Sequence, residues 1–343
     1  MTIKTMIGVD LAKSVFQLHG ASLRGDVKFR KKLSRPQFQA FMAKQAPCIV
    51  VMEACGGAHY WAREVTKLGH EVKLIAAQYV KPFVKRQKND AADAEAIVDA
   101  AQRPEMRFVE PKTEAQQARA ILFRSREQQI HQRTELVNAL RSHLYELGHV
   151  FPQGINNVRR IAEVLDDANN ALPDVVRSLC KDLLEQILAQ TKRIEVLTQE
   201  IKTQASDTET ARRLQTMPGI GPITALAIEA FAPAMEKFKR GRDFAAWLGL
   251  VPKQHSSGGK DKLGRVSKAG QADIRRLLII GAMSRLNWMG RKSITEGSWL
   301  GRMVATKPRM LVAIALANKM ARAIWAMLTK NKDYRDTPQT IAA

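Results

Sequence analysis

Four carboxylates of this 343-residue chain stand at places from which separate elements could bring them together. Asp10 closes the apolar run Ile7-Gly8-Val9, and Glu53 closes Ile49-Val50-Val51-Met52. Asp90 and Asp93 are spaced i and i+3, so on a helix both project from one face. An aspartate among apolar neighbours on a central strand is costly unless its charge is compensated. Oxygen ligands gathered from three elements suit two hard cations about 4 Å apart, gripping the attacking and leaving oxygens of a phosphodiester. Plainer readings exist residue by residue. Asp90 can be a favourable charge at a helix N-terminus, and Asp93 with Glu95 a solvated helix face. Asp10 has no such second use, and it is the coincidence of all four that carries the reading.

A second set of reactive side chains lies in His255-Ser256-Ser257-Gly258-Gly259-Lys260-Asp261-Lys262-Leu263-Gly264-Arg265. The glycines let a backbone and two hydroxyls approach a phosphate, and Lys260, Lys262, Arg265 and Lys268 surround them with positive charge. Two readings stay open here: a flexible DNA-binding loop, or a serine activated to attack phosphorus. Pro218-Gly219-Ile220-Gly221-Pro222-Ile223-Thr224 resembles the turn of a helix-hairpin-helix element, where backbone N–H groups at Gly219 and Gly221 can bind phosphate without reading sequence. A tight turn between two helices is the alternative.

These residues need positioning elements. Ile3–Val9, Val15–Ala21 and Val27–Leu33 read as strands, with a turn at Leu23-Arg24-Gly25-Asp26. Ser34 is a fitting N-cap for a helix to about Lys44. Cys48–Met52 is an apolar strand, 57–68 a helix, Glu71–Ile75 a strand, and Asn89–Gln102 an Ala-rich helix. The order β-β-β-α-β-α-β-α is that of a ribonuclease-H-like fold. A long helix over 113–148 follows, then breaks at Pro152 and Gly154, then a second long helix over 173–204. The second carries an apolar heptad seam: Val176, Cys180, Leu183, Ile187, Gln190, Ile194, Leu197 and Ile201. Its partner is either the earlier long helix or another subunit. From 206 to about 335 the chain reads as a compact basic helical domain with a Gly/Ser/Lys-rich loop over 254–270, and 336–343 as a frayed tail. The expected domains are therefore 1–112, 113–205 and 206–335.

Composition bounds the partners. Hydrophobic residues at 45% and charged residues at 26% are ordinary, but the formal charge of +22 is not. Residues 237–335 hold twenty-two basic and five acidic side chains, a net +17, against +6 over residues 1–236. A polyanion is the simplest reason to bear that self-repulsion. Three cysteines without CxxC pairing give no disulfide framework. No signal peptide is read at the start, and the most apolar stretch, 310–328, is interrupted by Asn318, Lys319 and Arg322. The expectation is a cytoplasmic protein with no membrane association.

Taken together, Gly8-Val9-Asp10, Met52-Glu53-Ala54, Lys88-Asn89-Asp90-Ala91-Ala92-Asp93-Ala94, Pro218-Gly219-Ile220-Gly221 and Ser256-Ser257-Gly258-Gly259-Lys260 resemble one family over nearly the whole chain. It is the insertion-sequence transposases with a RuvC-like DEDD domain, related to the Piv-type invertases. The resemblance implies a RuvC-like domain, a coiled-coil insertion and a mainly helical C-terminal transposase domain. It implies Mg²⁺ (or Mn²⁺) on Asp10, Glu53, Asp90 and Asp93, and a serine nucleophile that forms a 5′-phosphoserine link to DNA. That serine falls on Ser257, with Ser256 as the alternative. It also implies donor and target DNA as substrates, a structured bridge RNA as guide, and a homo-oligomer, a dimer assembling to a tetramer, in the bacterial cytoplasm and on the nucleoid when active. Three rivals are weighed against it. A junction-resolving nuclease using metal-activated water leaves the Ser-Ser-Gly-Gly-Lys segment without a purpose. A sugar-kinase-like ATPase would need a second nucleotide loop, which residues 200–343 lack. A non-catalytic nucleic-acid binder would not need Asp10.

Overall fold

The computed structural model describes residues 4–84, 90–167, 169–289 and 298–335. Two compact units divide the chain, Met1–Glu114 and Ala115–Ala343. Both long helices and the basic helical segment thus belong to one unit.

The first unit runs β1 (Thr5–Leu11), β2 (Val15–Ser22), β3 (Val27–Ser34), α1 (Arg35–Ala43), β4 (Ile49–Glu53), α2 (Ala58–Lys67), β5 (Glu71–Ile75), α3 (Ala77–Val80), α4 (Asp90–Ala101) and β6 (Phe108–Val109). The six strands form one mixed sheet in the order β3-β2-β1-β4-β5-β6. β4 is parallel to both β1 and β5, and the other pairings are antiparallel. This mixed α/β sheet agrees with the ribonuclease-H-like order expected. The Ile3 start of the first strand lies outside the described residues. β6 was not expected, since two residues are too short to show alternation. Ser34 caps α1 as anticipated, its backbone N–H donating to Gln37 Oε1 at 2.9 Å.

Alternation along the strands separates two cores. Ile7, Val9, Val50 and Met52 pack with Phe38, Met42, Trp61 and Val65 of α1 and α2. Met6, Val51 and Ile75 pack with Ala96, Ile97, Val98 and Ala100 of α4. Gly8 therefore faces α4, and it must be glycine. A Cβ there would sit 2.4 Å from the Ala94 carbonyl oxygen and 2.7 Å from Val98 Cγ2. At the far end of α4, Gln102 Nε2 donates to the Ser22 carbonyl at 3.3 Å, beside Thr5 at the start of β1. α4 consequently lies antiparallel to β1, with its first turn toward the strand's C-terminal end.

The second unit comprises α5 (Glu114–Tyr145), α6 (Val158–Asp166), α7 (Asp174–Asp207), α8 (Glu209–Gln215), α9 (Pro222–Phe231), α10 (Gly241–Trp247), β7 (Pro252–Gln254), β8 (Leu263–Val266), α11 (Ala272–Met289), α12 (Trp299–Thr306) and α13 (Arg309–Lys330). The α7 seam meets α5 of the same chain. Arg126 Nε donates to Thr198 Oγ1 at 2.8 Å and Gln190 Nε2 to Gln132 Oε1 at 3.4 Å, an antiparallel register. Cys180, Ile187, Ile194 and Ile201, spaced by sevens, are the buried members of that seam. Val137, Leu140 and Leu144 of α5 share a cluster with Cys180 and Ile187.

α13 is long and apolar enough by composition to cross a bilayer, with 44% of its most apolar window buried. Asn318, Lys319 and Arg322 interrupt it, as the sequence reading noted. Here it is a core helix. Val312, Ala313, Leu316, Met320 and Ile324 are buried in the main cluster of the unit with Leu278 and Ala282 of α11. The 254–270 stretch, expected as a loop, is an antiparallel hairpin of β7 and β8. Gly258 and Gly259 at φ 58° and 76° supply the two positive-φ residues that a tight two-residue turn requires.

Seating α4 on β1 depends on Gly8. Gly8→Ala is expected to destabilise the protein by about 1–3 kcal/mol, because the atom met is a helix carbonyl rather than a flexible side chain. Urea denaturation measures this, and an unchanged midpoint would mean that the helix does not bear on the strand.

Candidate active site

Asp10 and Glu53 leave adjacent parallel strands. The β1–β4 register ends at Val9 opposite Met52, one residue before each carboxylate. By alternation Asp10 shares the face of Gly8, and Glu53 that of Val51, so both stand on the α4 side of the sheet. Asp93 is the neighbour of Ala94, whose carbonyl meets Gly8. Asp90 opens the same helix, and its side chain lies outside the described residues. Asp10, Glu53 and Asp93 are each half-buried.

Electrostatics report the same proximity. Burial, and then the Asp93 charge, hold the Glu53 carboxyl above the usual carboxylate range. The Cys55 thiol is also pushed up, first by burial and then by the charges of Glu53 and Asp10. Among the described residues, no three His, Cys, Asp or Glu side chains close into a ready-made cation site. The donor set nevertheless fits divalent cations in kind. Hard oxygens from β1, β4 and α4 face one sheet end, and a carboxyl raised by burial and then by a like charge is what a bound cation would relieve. Cys55 escaped the sequence reading, and nothing but its place two residues beyond Glu53 could have signalled it.

In the second unit the structure resolves the glycine motif into a helix-turn-helix arrangement of α8 and α9. Thr208 caps α8, accepting from the Ala211 N–H at 3.2 Å, and its hydroxyl bonds Glu229 at 3.0 Å. Met217 to Ile220 form a turn closed by the Ile220 N–H on the Met217 carbonyl at 3.0 Å, with Gly219 at φ 92°. A Cβ on Gly219 would lie 2.7 Å from the Gly281 carbonyl of α11, so turn and packing account for this glycine without a ligand. Gly221 caps α9 and has open space beside it.

Ser256 and Ser257 precede the hairpin tip. Lys260, Lys262, Arg265 and Lys268 are all exposed, and Lys268 holds an unusual positive φ of 53°. Sequence reasoning missed Asp261, whose Oδ1 accepts from Ser256 Oγ at 2.9 Å and from Gln254 Nε2 at 3.2 Å. It became visible only once strand pairing was known. A further unanticipated cluster joins α5, α7 and α11. Glu127 accepts from Arg126 at 3.1 Å and also from Arg276, while Asp273 pairs with Arg124 at 2.9 Å.

A mixed sheet presenting acidic side chains at the ends of neighbouring parallel strands is consistent with a ribonuclease-H-like domain. Comparison with known proteins makes it specific. A family model for the DEDD transposase domain of IS110 type, described as Transposase, matches residues 7–149, and one described as Transposase IS116/IS110/IS902 family matches residues 211–295. A protein of Pseudomonas aeruginosa named as a probable family 20 transposase is 43% identical over 96% of this chain and 98% of its own length. The transposase for insertion sequence element IS1328 of Yersinia enterocolitica is 40% identical over 95% and 97%. That for IS1111A of Coxiella burnetii is 37% identical over 96% and 91%. The chain belongs to the IS110/IS116 family of insertion-sequence transposases, enzymes that cut and rejoin DNA.

The raised Glu53 carboxyl has a pH consequence for the metal-free protein. The folded state binds that proton more tightly than the unfolded chain, so stability falls as pH rises from the unfolded value through the raised folded value. In chelator, Glu53→Gln is expected to remove this fall and to melt higher than the parent at neutral pH. A lower melting temperature for the variant would show that ionised Glu53 is held by favourable partners instead.

Proposed function

We propose that this transposase cuts DNA by a covalent serine mechanism supported by the carboxylates Asp10, Glu53, Asp90 and Asp93. The observation that carries the reading is the convergence of β1, β4 and the first turn of α4 on one sheet end. The four carboxylates would hold Mg²⁺ (or Mn²⁺), which when bound polarises phosphoryl oxygens and stabilises charge on the transferring phosphate.

Ser257 Oγ attacks phosphorus, an Oγ–P bond forms and the P–O3′ bond breaks. The serine proton passes to solvent, and the departing 3′ oxygen takes one up. The 5′-phosphoserine ester keeps the phosphodiester energy, so rejoining needs no ATP. After strand exchange a 3′-hydroxyl attacks the phosphoserine, the Oγ–P bond breaks and the serine hydroxyl is restored. Exposed Lys260, Lys262, Arg265 and Lys268 neutralise backbone phosphates, with the Gly221 turn as a further backbone contact. Ser256 is the alternative nucleophile.

The reading extends to a structured guide RNA that names the donor and target DNA by pairing, as the sequence resemblance implies. The net +17 of residues 237–335 supplies the non-specific attraction for both nucleic acids. Assembly as a homo-oligomer, a dimer forming a tetramer, and the long-helix pair as a coiled coil belong to the same proposal.

A suicide DNA substrate carrying the element's ends, incubated with the protein, its co-purifying RNA and Mg²⁺, tests this. The expected product is a protein–DNA adduct. Asp10→Ala, Glu53→Gln, Asp93→Ala and Ser257→Ala each should lower its yield on the order of a hundredfold while DNA binding persists. Hydrolysed nicks with no adduct from the parent protein would show that water is the nucleophile.

A further inference from the structure

The two serines of the hairpin are not equivalent. Pairing runs Gln254 with Leu263, then His255 with Lys262 through an N–H···O bond of 2.8 Å, and Ser257 with Lys260 through one of 3.1 Å. Ser256 therefore stands opposite Asp261. Because side chains alternate across such a ladder, Ser257, Lys260, His255 and Lys262 share one face. Ser256, Asp261 and Gln254 share the other.

Hydrogen bonding separates the faces further. Ser256 Oγ donates to Asp261 Oδ1 at 2.9 Å and accepts from Gln254 Nε2 at 3.0 Å and from the Lys262 N–H at 3.4 Å. Gln254 Nε2 also reaches Asp261 Oδ1 at 3.2 Å. Its hydroxyl is thus engaged by three partners within the hairpin. A phosphate approaching it would also meet the Asp261 carboxylate. The Ser257 hydroxyl makes no hydrogen bond among the described residues and lies on the face of Lys260 and Lys262, where an anion is attracted.

A ladder this short, with two glycines at its tip, is marginal alone. We propose that Ser256, Asp261 and Gln254 are positioning residues: a polar clasp across the neck of the hairpin that fixes the tip, and so sets the Ser257 hydroxyl against Lys260. The inference rests on the reading of Ser257 as nucleophile. It assigns Asp261 a role in holding geometry, not in removing the serine proton.

Single-turnover adduct formation by the full-length protein, with its DNA, RNA and Mg²⁺, tests the clasp beside DNA affinity and melting temperature. Asp261→Ala and Gln254→Ala should slow adduct formation about 10- to 100-fold with affinity and melting temperature unchanged, since small misplacements cost that much. Asp261→Asn keeps an acceptor oxygen and should recover most of the rate. Mass spectrometry should find the phosphoserine at position 257 throughout. Phosphoserine at 256, with Asp261→Asn as slow as Asp261→Ala, would make Asp261 the base of Ser256 and overturn the proposal. Parental rates in both alanine variants would overturn it as well. A parent protein that forms no serine adduct sinks the nucleophile reading itself, whatever the clasp variants do.

Discussion

The contact between the Gly8 backbone and the Ala94 carbonyl is the constraint on which the first unit depends. A strand and a helix normally stand apart by the depth of their side chains. Here the missing side chain lets α4 settle onto β1, with no room for even a Cβ at 2.4 Å from the carbonyl. That depth brings the first turn of α4 level with the ends of β1 and β4. The same packing costs something, because it sets Asp93 against Glu53 in a half-buried place and raises the Glu53 carboxyl. The opening of a helix offsets part of that repulsion by its dipole, and a cation would offset more. A half-buried carboxyl held up by burial and a neighbouring carboxylate marks this sheet end as a candidate functional site.

The second unit meets the opposite difficulty, an excess of positive charge, with a few well-placed acids. Glu127 receives both Arg126 and Arg276, and Asp273 receives Arg124, so α5 and α11 are joined through carboxylates among guanidinium groups. Burial lowers the Arg126 pKa, and the hydrogen bond to Thr198 ties that guanidinium to α7. Internal pairing of this kind neutralises the arginines that build the helical frame. The lysines of the hairpin are left exposed, with Asp261 as their one acidic companion there.

Strand and helix order, the α1 cap, the α7 seam and the placement of Asp10 and Glu53 were legible in the sequence because each rests on local periodicity. The apolar runs of β1 and β4 end at Asp10 and Glu53, but that both stand on one face follows only from the register in which Val9 pairs with Met52. What escaped depended on pairing between distant residues. β6 has two residues and no alternation, and it exists because β5 offers an edge. Glycine at position 8 looks like an ordinary strand interruption until Ala94 is known to lie over it. The hairpin of β7 and β8 was hidden because Ser-Ser-Gly-Gly-Lys is polar throughout, and composition alone cannot tell a mobile loop from a tight turn that needs two positive-φ residues. The partner of α7 was undecidable for a similar reason: a heptad seam specifies a complementary surface, not whose surface it is.

The same distinction decides how the two reactive sets should be understood. Composition grouped Ser256 and Ser257 as one basic, serine-rich motif, whereas strand parity assigns them to opposite faces with opposite electrostatics. A carboxylate beside Ser256 repels the phosphate that a nucleophile must meet, and lysines beside Ser257 attract it. Asp10, Glu53 and Asp93 by themselves would likewise repel DNA, and in the proposed mechanism a cation reverses the local sign. The acidic set lacks a nucleophile and the basic set lacks a means to stabilise charge on the transferring phosphate. In the proposed mechanism a phosphoryl transfer through a serine ester gives both sets a purpose, whereas metal-bound water gives one to the acidic set alone.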